Sequence, residues 1–378
     1  MRLFLLIYIL VYGGAHVYAF IKLIKGFSPG LMKSLVLAGF MGGMVAAPIG
    51  VRMLEHSGWY ASARWLACVG YTWMGFVFIF VSTWFFFDIC RLFYFSACKA
   101  GLFSPFSDRN HVFRVLNLIS ITLSLFVVIY SCFEALHICT EQVTITTDKL
   151  PHNIEKVRVV QISDVHLGLI VGRYRLQRII DQVEKAGPDI LISTGDLVDG
   201  DMDKPDKLAD MLKNIPVTYG KYAVTGNHEF YAGLKRSLEF TRSAGFQVLQ
   251  GEGVTNVVNI AGVDDPGRGR VHRNSPVFEK ALLLSLPREK FTLFLKHQPV
   301  VSREAFGCFD LQLSGHTHKG QIFPFSLVTK LKYPLHSGLV ELQDNSRIYI
   351  SRGSGTWGPP LRFLSPPEVT IIDIVNQP

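Results

Sequence analysis

Charge is in short supply in this chain of 378 residues: Asp, Glu, Lys and Arg make up 18% of it, against about 25% in an average soluble protein. The shortage is uneven. Residues 1–150 hold eleven Lys/Arg and six Asp/Glu, whereas residues 151–378 hold twenty-seven and twenty-four, a net charge of +3. Cysteine is scarce too. Cys68, Cys90, Cys98, Cys132 and Cys139 fall in the first part, and Cys308 stands alone in the second. No disulfide can therefore staple the second part, and no Cys-x-x-Cys pair offers a zinc site. The five cysteines set among apolar residues read as small packing side chains. With 49% hydrophobic residues, disorder and collagen-like structure are excluded.

Apolar sequence fills the first part. Four runs, 3–21, 34–51, 65–87 and 115–133, contain no Asp, Glu, Lys or Arg, and roughly 20 helical residues cross the hydrocarbon of a bilayer. Three further runs behind the first argue against a cleaved signal peptide. Ion and proton pathways need ionisable groups inside the membrane, and His16 is the one titratable group of note in the runs. A transporter is thus disfavoured and an anchor expected. Gly39-x-x-x-Gly43 in the second run has the spacing of a close helix-packing face. Orientation follows from flanking charge. Arg2, Arg52, Arg64, Lys149 and Lys156 lie on the side of the termini, against Lys22, Lys25, Lys33, Arg91, Lys99, Arg109 and Arg114 on the other. The positive-inside rule then places the C-terminal domain outside the cytoplasm. Residues 1–140 are accordingly expected to be a transmembrane domain, 141–156 a linker and 157–378 a folded domain.

From residue 157 onward, short β-branched runs alternate with stretches of helical spacing such as Leu176, Ile179, Ile180 and Val183, the pattern of an α/β core. The informative fact is what ends each run. The successive apolar runs stop at Asp164-Val165-His166, at Gly195-Asp196-Leu197-Val198-Asp199, at Gly226-Asn227-His228-Glu229, at His297 and at Gly315-His316-Thr317-His318. Open α/β sheets gather ligand sites at the carboxyl ends of their strands. Hard oxygens and imidazoles collected on one rim are what a pair of divalent transition metals needs. Each motif alone reads equally well as a cap or turn, but five in this order do not.

This order of motifs resembles the calcineurin-like metallophosphoesterase superfamily. The extended tail Gly315-His316-Thr317-His318-Lys319-Gly320-Gln321 is similar to its membrane-associated branch. The resemblance covers 157–375 and says little about the apolar runs. It implies a four-layer α/β sandwich, two β-sheets flanked by helices, preceded here by an all-α membrane domain of about four transmembrane helices. It also implies that Asp164, His166 and His318 take one metal, that Asn227, His297 and His316 take a second, and that Asp196 bridges them. Mn, Fe or Zn suits these ligands.

The implied activity is hydrolysis of phosphate mono- or diesters by a dinuclear centre with a bridging hydroxide. His228 would act as catalytic acid, oriented by Asp199. Glu229 either supports the site or carries a helix-start charge. Arg352 and Arg362 frame a Gly/Pro-rich turn and are candidates to grip substrate phosphate. Arg268, Arg270, His272 and Arg273 form a basic loop, and Asp264 and Asp265 a turn near the rim. The expected partners are the lipid bilayer and a phosphorylated substrate, a lipid-linked one included. A net charge of +3 argues against nucleic acid. Two alternatives remain: a UDP-2,3-diacylglucosamine-type pyrophosphatase of lipid A synthesis, for which Phe323-Pro324-Phe325 and Trp357 offer apolar surface, and a non-catalytic metal-binding membrane sensor.

Overall fold

The computed structural model describes residues 2–104, 106, 108–200, 202, 205–266 and 275–377; the basic loop of Arg268, Arg270, His272 and Arg273 lies outside the described residues. The chain divides into two units, Met1–Cys132 with Gly358–Leu361, and Phe133–Trp357 with Arg362–Pro378.

The first unit is helical. Its four segments long and apolar enough to cross a membrane are Leu5–Phe27, Leu31–His56, Tyr60–Lys99 and Arg109–Leu136. The first is built from α1 (Arg2–Tyr8), a π-turn (Ile9–Gly13) and α2 (Gly14–Phe27), and the others are α3 (Leu31–His56), α4 (Tyr60–Lys99) and α5 (Arg109–Leu136). Each helix outruns its apolar stretch, and the reason is visible at two of the ends. Lys22 and Asp88, which close the runs at 21 and 87, pair with each other at 2.5 Å, and Tyr18 Oη donates to Asp88 at 2.6 Å. A paired charge does not have to end a helix at the first polar residue. His16 has both ring nitrogens engaged, Nδ1 at 2.8 Å from the Tyr12 carbonyl and Nε2 accepting from Trp73 Nε1 at 2.9 Å. The glycine spacing at 39 and 43 marks no close helix contact. A Cβ added at Gly39 or Gly43 would meet no atom within 4 Å, whereas one at Gly26 would overlap the Asn117 side chain.

In the second unit two six-stranded sheets stack face to face. One runs in the order β1 (Cys139–Thr147), β12 (Glu368–Asn376), β2 (Lys156–Ile162), β3 (Ile190–Ser193), β4 (Lys221–Ala223) and β5 (Gln247–Val248). The other runs β10 (Gly338–Glu341), β11 (Arg347–Ile350), β9 (Leu311–Ser314), β8 (Thr292–Leu295), β7 (Asn259–Gly262) and β6 (Glu252–Thr255). Period-two alternation of side chains builds the layers. Val157, Val159, Ile190 and Ile192 meet Ile260, Leu293, Leu295, Leu311 and Leu313 between the sheets. Their neighbours Val160, Ile162 and Leu191 turn outward. There they pack on α6 (Arg173–Ala186), α7 (Pro205–Lys213) and α9 (Leu234–Ser243) through residues such as Leu176, Leu212 and Phe240. Phe294 and Ala261 pack on the far side of the second sheet against Leu283 of α10 (Pro276–Leu284).

One boundary needs correction. The stretch 141–156 is not simply a linker, because β1 occupies its first half and pairs in parallel with β12, Cys139 opposite Glu368 through Thr147 opposite Asn376. Val143 and Ile145 of this strand join the core between the sheets.

Candidate metal centre

Backbone geometry assembles the site where strands run out. β2, β3, β8 and β9 are parallel to their neighbours in the relevant pairs, so their carboxyl ends lie on one rim. Asp164 and His166 follow β2, Asp196 and Asp199 follow β3, and Asn227 and His228 open the short helix α8 (Asn227–Ala232) after β4. His297 follows β8, and His316 and His318 follow β9. Five of these residues hold left-handed backbone, with φ of 51° at Asp164, 55° at His166, 51° at Asp196, 69° at His316 and 48° at His318. Such strain concentrates at functional sites and persists only where surrounding structure imposes it. Here the surroundings leave no room for anything else: a side chain at Gly226 would overlap Asp196, and one at Gly315 would overlap Ser163 and Asp164.

The donor atoms converge in three overlapping groups, one of which, His166, Asp196 and His228, joins the other two. Asp164, His166 and His318 form one, with His318 Nε2 at 3.3 Å from Asp164 Oδ1 and 3.1 Å from His166 Nε2. Asp196, His297 and His316 form the other, with His297 Nε2 at 3.2 Å from Asp196 Oδ2 and 3.1 Å from His316 Nδ1. The same Asp196 Oδ2 lies 3.9 Å from His166 Nε2, so one carboxylate faces both groups. Its Oδ1 accepts the His228 backbone N–H at 2.8 Å.

Supporting contacts aim each ring. His297 Nδ1 lies 2.8 Å from the Thr194 carbonyl, which requires a proton on that nitrogen and aims Nε2 at the centre. Tyr333 Oη, 3.1 Å from His316 Nε2 and donating to Gln298 Oε1 at 3.2 Å, turns His316 Nδ1 inward. Gln298 in turn donates to Asp265 at 2.8 Å, so Asp265 reaches the site through two intermediaries, while Asp264 accepts from Thr225. Glu229 resolves as a support. Buried, it accepts backbone N–H groups from Asp196 at 3.0 Å, Val198 at 3.1 Å and Gly226 at 2.7 Å, and so ties two motif loops together. His228 Nδ1 lies 2.5 Å from Asp199 Oδ1, and the rings of Tyr231 and Trp357 stand 5.3 and 5.7 Å from its own.

Electrostatics prepare the donors. Burial drives His316 down to about 3, with the charge of His297 adding to the effect, and burial likewise drives His318 down to about 4. Both rings are therefore neutral near pH 7. Burial alone would raise the carboxyls of Asp164, Asp196 and Asp199, but the imidazoles around them outweigh it and hold all three below the usual range. At His228 burial works the other way and is outweighed by Asp199, which keeps the imidazole more basic than usual.

The two arginines do not serve as expected. Arg352 is taken up by carboxylates, Nη2 on Glu141 at 2.5 Å and Nε on Glu368 at 2.6 Å. Arg362 is fully buried beneath the centre and donates to the carbonyls of Arg352, Gly355 and Ser365, with Nη2 3.0 Å from His318 Nδ1. Arg362 has no free edge for phosphate, because its burial is sustained by the acceptors that occupy its donors, and the charge of Arg352 is met by two carboxylates. Tyr333, Gln298 and Tyr231 carry no sequence signal of their own; only their proximity in the fold reveals them.

The residues present suit divalent cations. Asn227 Oδ1 is shut off from solvent with no hydrogen-bond partner among the described residues, and a buried polar atom in that state calls for an explanation such as a bound ion. Nitrogen and oxygen donors in this mixture match transition-metal preferences.

Known proteins are similar to this chain. The profile of a family described as calcineurin-like phosphoesterase matches residues 157–320. A metallophosphoesterase of uncharacterised role from Aquifex aeolicus is 42% identical over 232 residues, covering 61% of this chain and 88% of that protein. A similarly described protein from Helicobacter pylori is 34% identical, covering 59% of this chain and 61% of its own length. A transmembrane protein with metallophosphoesterase domain from Danio rerio is 33% identical, with 59% of this chain and 54% of its own length covered. The profile falls within the second unit and spans all five motifs, and this chain belongs to the calcineurin-like metallophosphoesterases, metal-dependent hydrolases of phosphate esters.

Proposed function

We propose that the chain is a membrane-anchored phosphohydrolase that works with two divalent cations on phosphate mono- or diesters. The observation that carries this reading is the meeting of two donor groups at the single carboxylate of Asp196. Asp164, His166 and His318 would hold one cation, Asn227, His297 and His316 the other, and Asp196 both. Bound cations of this kind polarise phosphoryl oxygens and acidify water. The chain's own residues supply the rest. With Nδ1 of His228 engaged by Asp199, its Nε2 is the nitrogen left to hand a proton to the leaving oxygen, help worth about 10²–10⁴-fold in rate. Trp357 and Tyr231 flank that ring and limit its rotation. The four apolar helices would hold the domain at a bilayer, and the count of flanking basic residues supports an extracytoplasmic position for it.

The test is metal removal. Full-length protein in detergent, stripped with a chelator, is expected to lose turnover of a phosphomonoester and a phosphodiester by at least about 100-fold and to regain it with Mn²⁺, Fe²⁺ or Zn²⁺. Elemental analysis should find two equivalents of metal in the active form. Turnover that survives chelation, or metal-loaded protein that hydrolyses neither ester, overturns the proposal.

A further inference from the structure

Helix α11 (Phe325–Lys332) contributes no buried residue to the domain. Its apolar side chains point outward instead: Leu331 is 86% exposed, Leu327 59% and Val328 55%, with Phe323 just before the helix at 41%. Leu327 and Leu331 are four residues apart and Val328 and Leu331 three, so the three share one stripe. Eight residues are too few for a helix to hold its shape in water by itself, and a bare apolar stripe on such a helix marks a surface made to be covered.

Two observations say what covers it. The stretch 311–340 contains no Asp or Glu but carries Lys319, Lys330 and Lys332, and an apolar stripe edged with lysine is the composition of a helix that lies in an anionic membrane interface. The domain is also tied to an apolar helix: only two residues, His137 and Ile138, separate α5 from β1. A second copy of the chain is a poorer occupant, since a stable protein interface engages roughly 20–30 residues a side and this stripe offers four. α11 adjoins the centre as well, because the residue after it, Tyr333, is the one that bonds His316.

We propose that α11 is an interfacial helix that seats the rim of the metal centre in an anionic bilayer surface, so that the ester hydrolysed is carried on a lipid headgroup. The inference rests on the hydrolase reading above, and its test separates the two.

Full-length protein is reconstituted in bilayers of phosphatidylglycerol and phosphatidylethanolamine, with p-benzoylphenylalanine in place of Leu331. Irradiation is expected to attach phospholipid at that position. In parallel, the double variant Leu327→Glu/Leu331→Glu is expected to hydrolyse phosphatidic acid embedded in the bilayer at least about tenfold more slowly than the unaltered protein, while its rate on soluble p-nitrophenyl phosphate stays within about twofold. Both side chains are exposed, so folding is not at stake. Cross-linking to a second chain in place of lipid overturns the inference, as does an equal effect of the double variant on both substrates or no effect on either. If neither substrate is turned over by the unaltered protein, the hydrolase reading fails and the cross-link alone decides the docking.

Discussion

Exchange of Asp196 for asparagine is expected to abolish turnover and to empty the centre of metal together. The carboxylate spans the two donor groups, Oδ2 3.2 Å from His297 Nε2 and 3.9 Å from His166 Nε2. The amide matches it in volume, and its oxygen can still accept the His228 N–H that Oδ1 accepts at 2.8 Å, so the loop survives. What changes is the other atom, which becomes an NH₂ donor with no charge, aimed at the place where cations would sit. Loss of an outer partner of a metal ligand typically costs 10–100-fold in affinity or activity; loss of a shared ligand should exceed about 10³-fold. His228→Ala makes the informative contrast. Elemental analysis of that variant should still find metal, because its role lies in proton transfer, while kcat falls by about 10²–10⁴-fold. Metal retained in Asp196→Asn, or lost in His228→Ala, contradicts the assignment of the two roles.

The contrast also marks what the sequence could and could not disclose. The donors were legible because each follows a short apolar run: Asp164 and His166 after β2, His316 and His318 after β9. A strand end fixes both the place and the direction of the next few residues, so local order carries the site. Tyr333, Gln298 and Arg362 follow no such rule. Tyr333 lies 17 residues beyond His316, past α11, and nothing in its neighbours distinguishes it from any exposed tyrosine.

Glu229 was ambiguous for a different reason. Its place after Gly226-Asn227-His228 suits a helix-start charge, and its second task, accepting N–H groups from Asp196 and Val198, depends on a loop some thirty residues away. The linker expectation failed because Cys139–Thr147 is a strand whose outward positions are Thr140, Gln142, Thr144 and Thr146; half-polar alternation marks a sheet with one solvated face, and β1 is an edge strand of its sheet. The apolar runs were read too short because Lys22 and Asp88, unpaired in the sequence, are paired in space.

Arg362→Met is expected to destabilise the phosphoesterase unit by about 3–5 kcal/mol, because several buried carbonyls lose their donor at about 1–3 kcal/mol each. The side chain is fully buried, yet none of its hydrogen bonds goes to a carboxylate. Nη1 donates to the Arg352 carbonyl at 2.8 Å and to those of His318 and Ser365 at 3.3 Å, and Nε and Nη2 donate to the Gly355 carbonyl at 3.0 and 2.5 Å. The guanidinium fork thus joins the loop after β11 to the loop after β9. The first of these loops is itself laid on the Asp164 loop, with Ser354 N–H donating to Ser163 and Gly355 N–H to Asp164. Methionine fills the volume but removes every donor, and each stranded carbonyl costs about 1–3 kcal/mol. Lysine would restore charge without the planar fork, so Arg362→Lys should recover only part of the stability. Denaturant titration of the full-length protein in detergent reads the first effect. Metal titration reads the second, since His318 loses both the contact to Nδ1 at 3.0 Å and the anchor on its carbonyl. A variant as stable as the parent, with unchanged metal affinity, would leave Arg362 a bystander and return the positioning of His318 to the β9 loop alone.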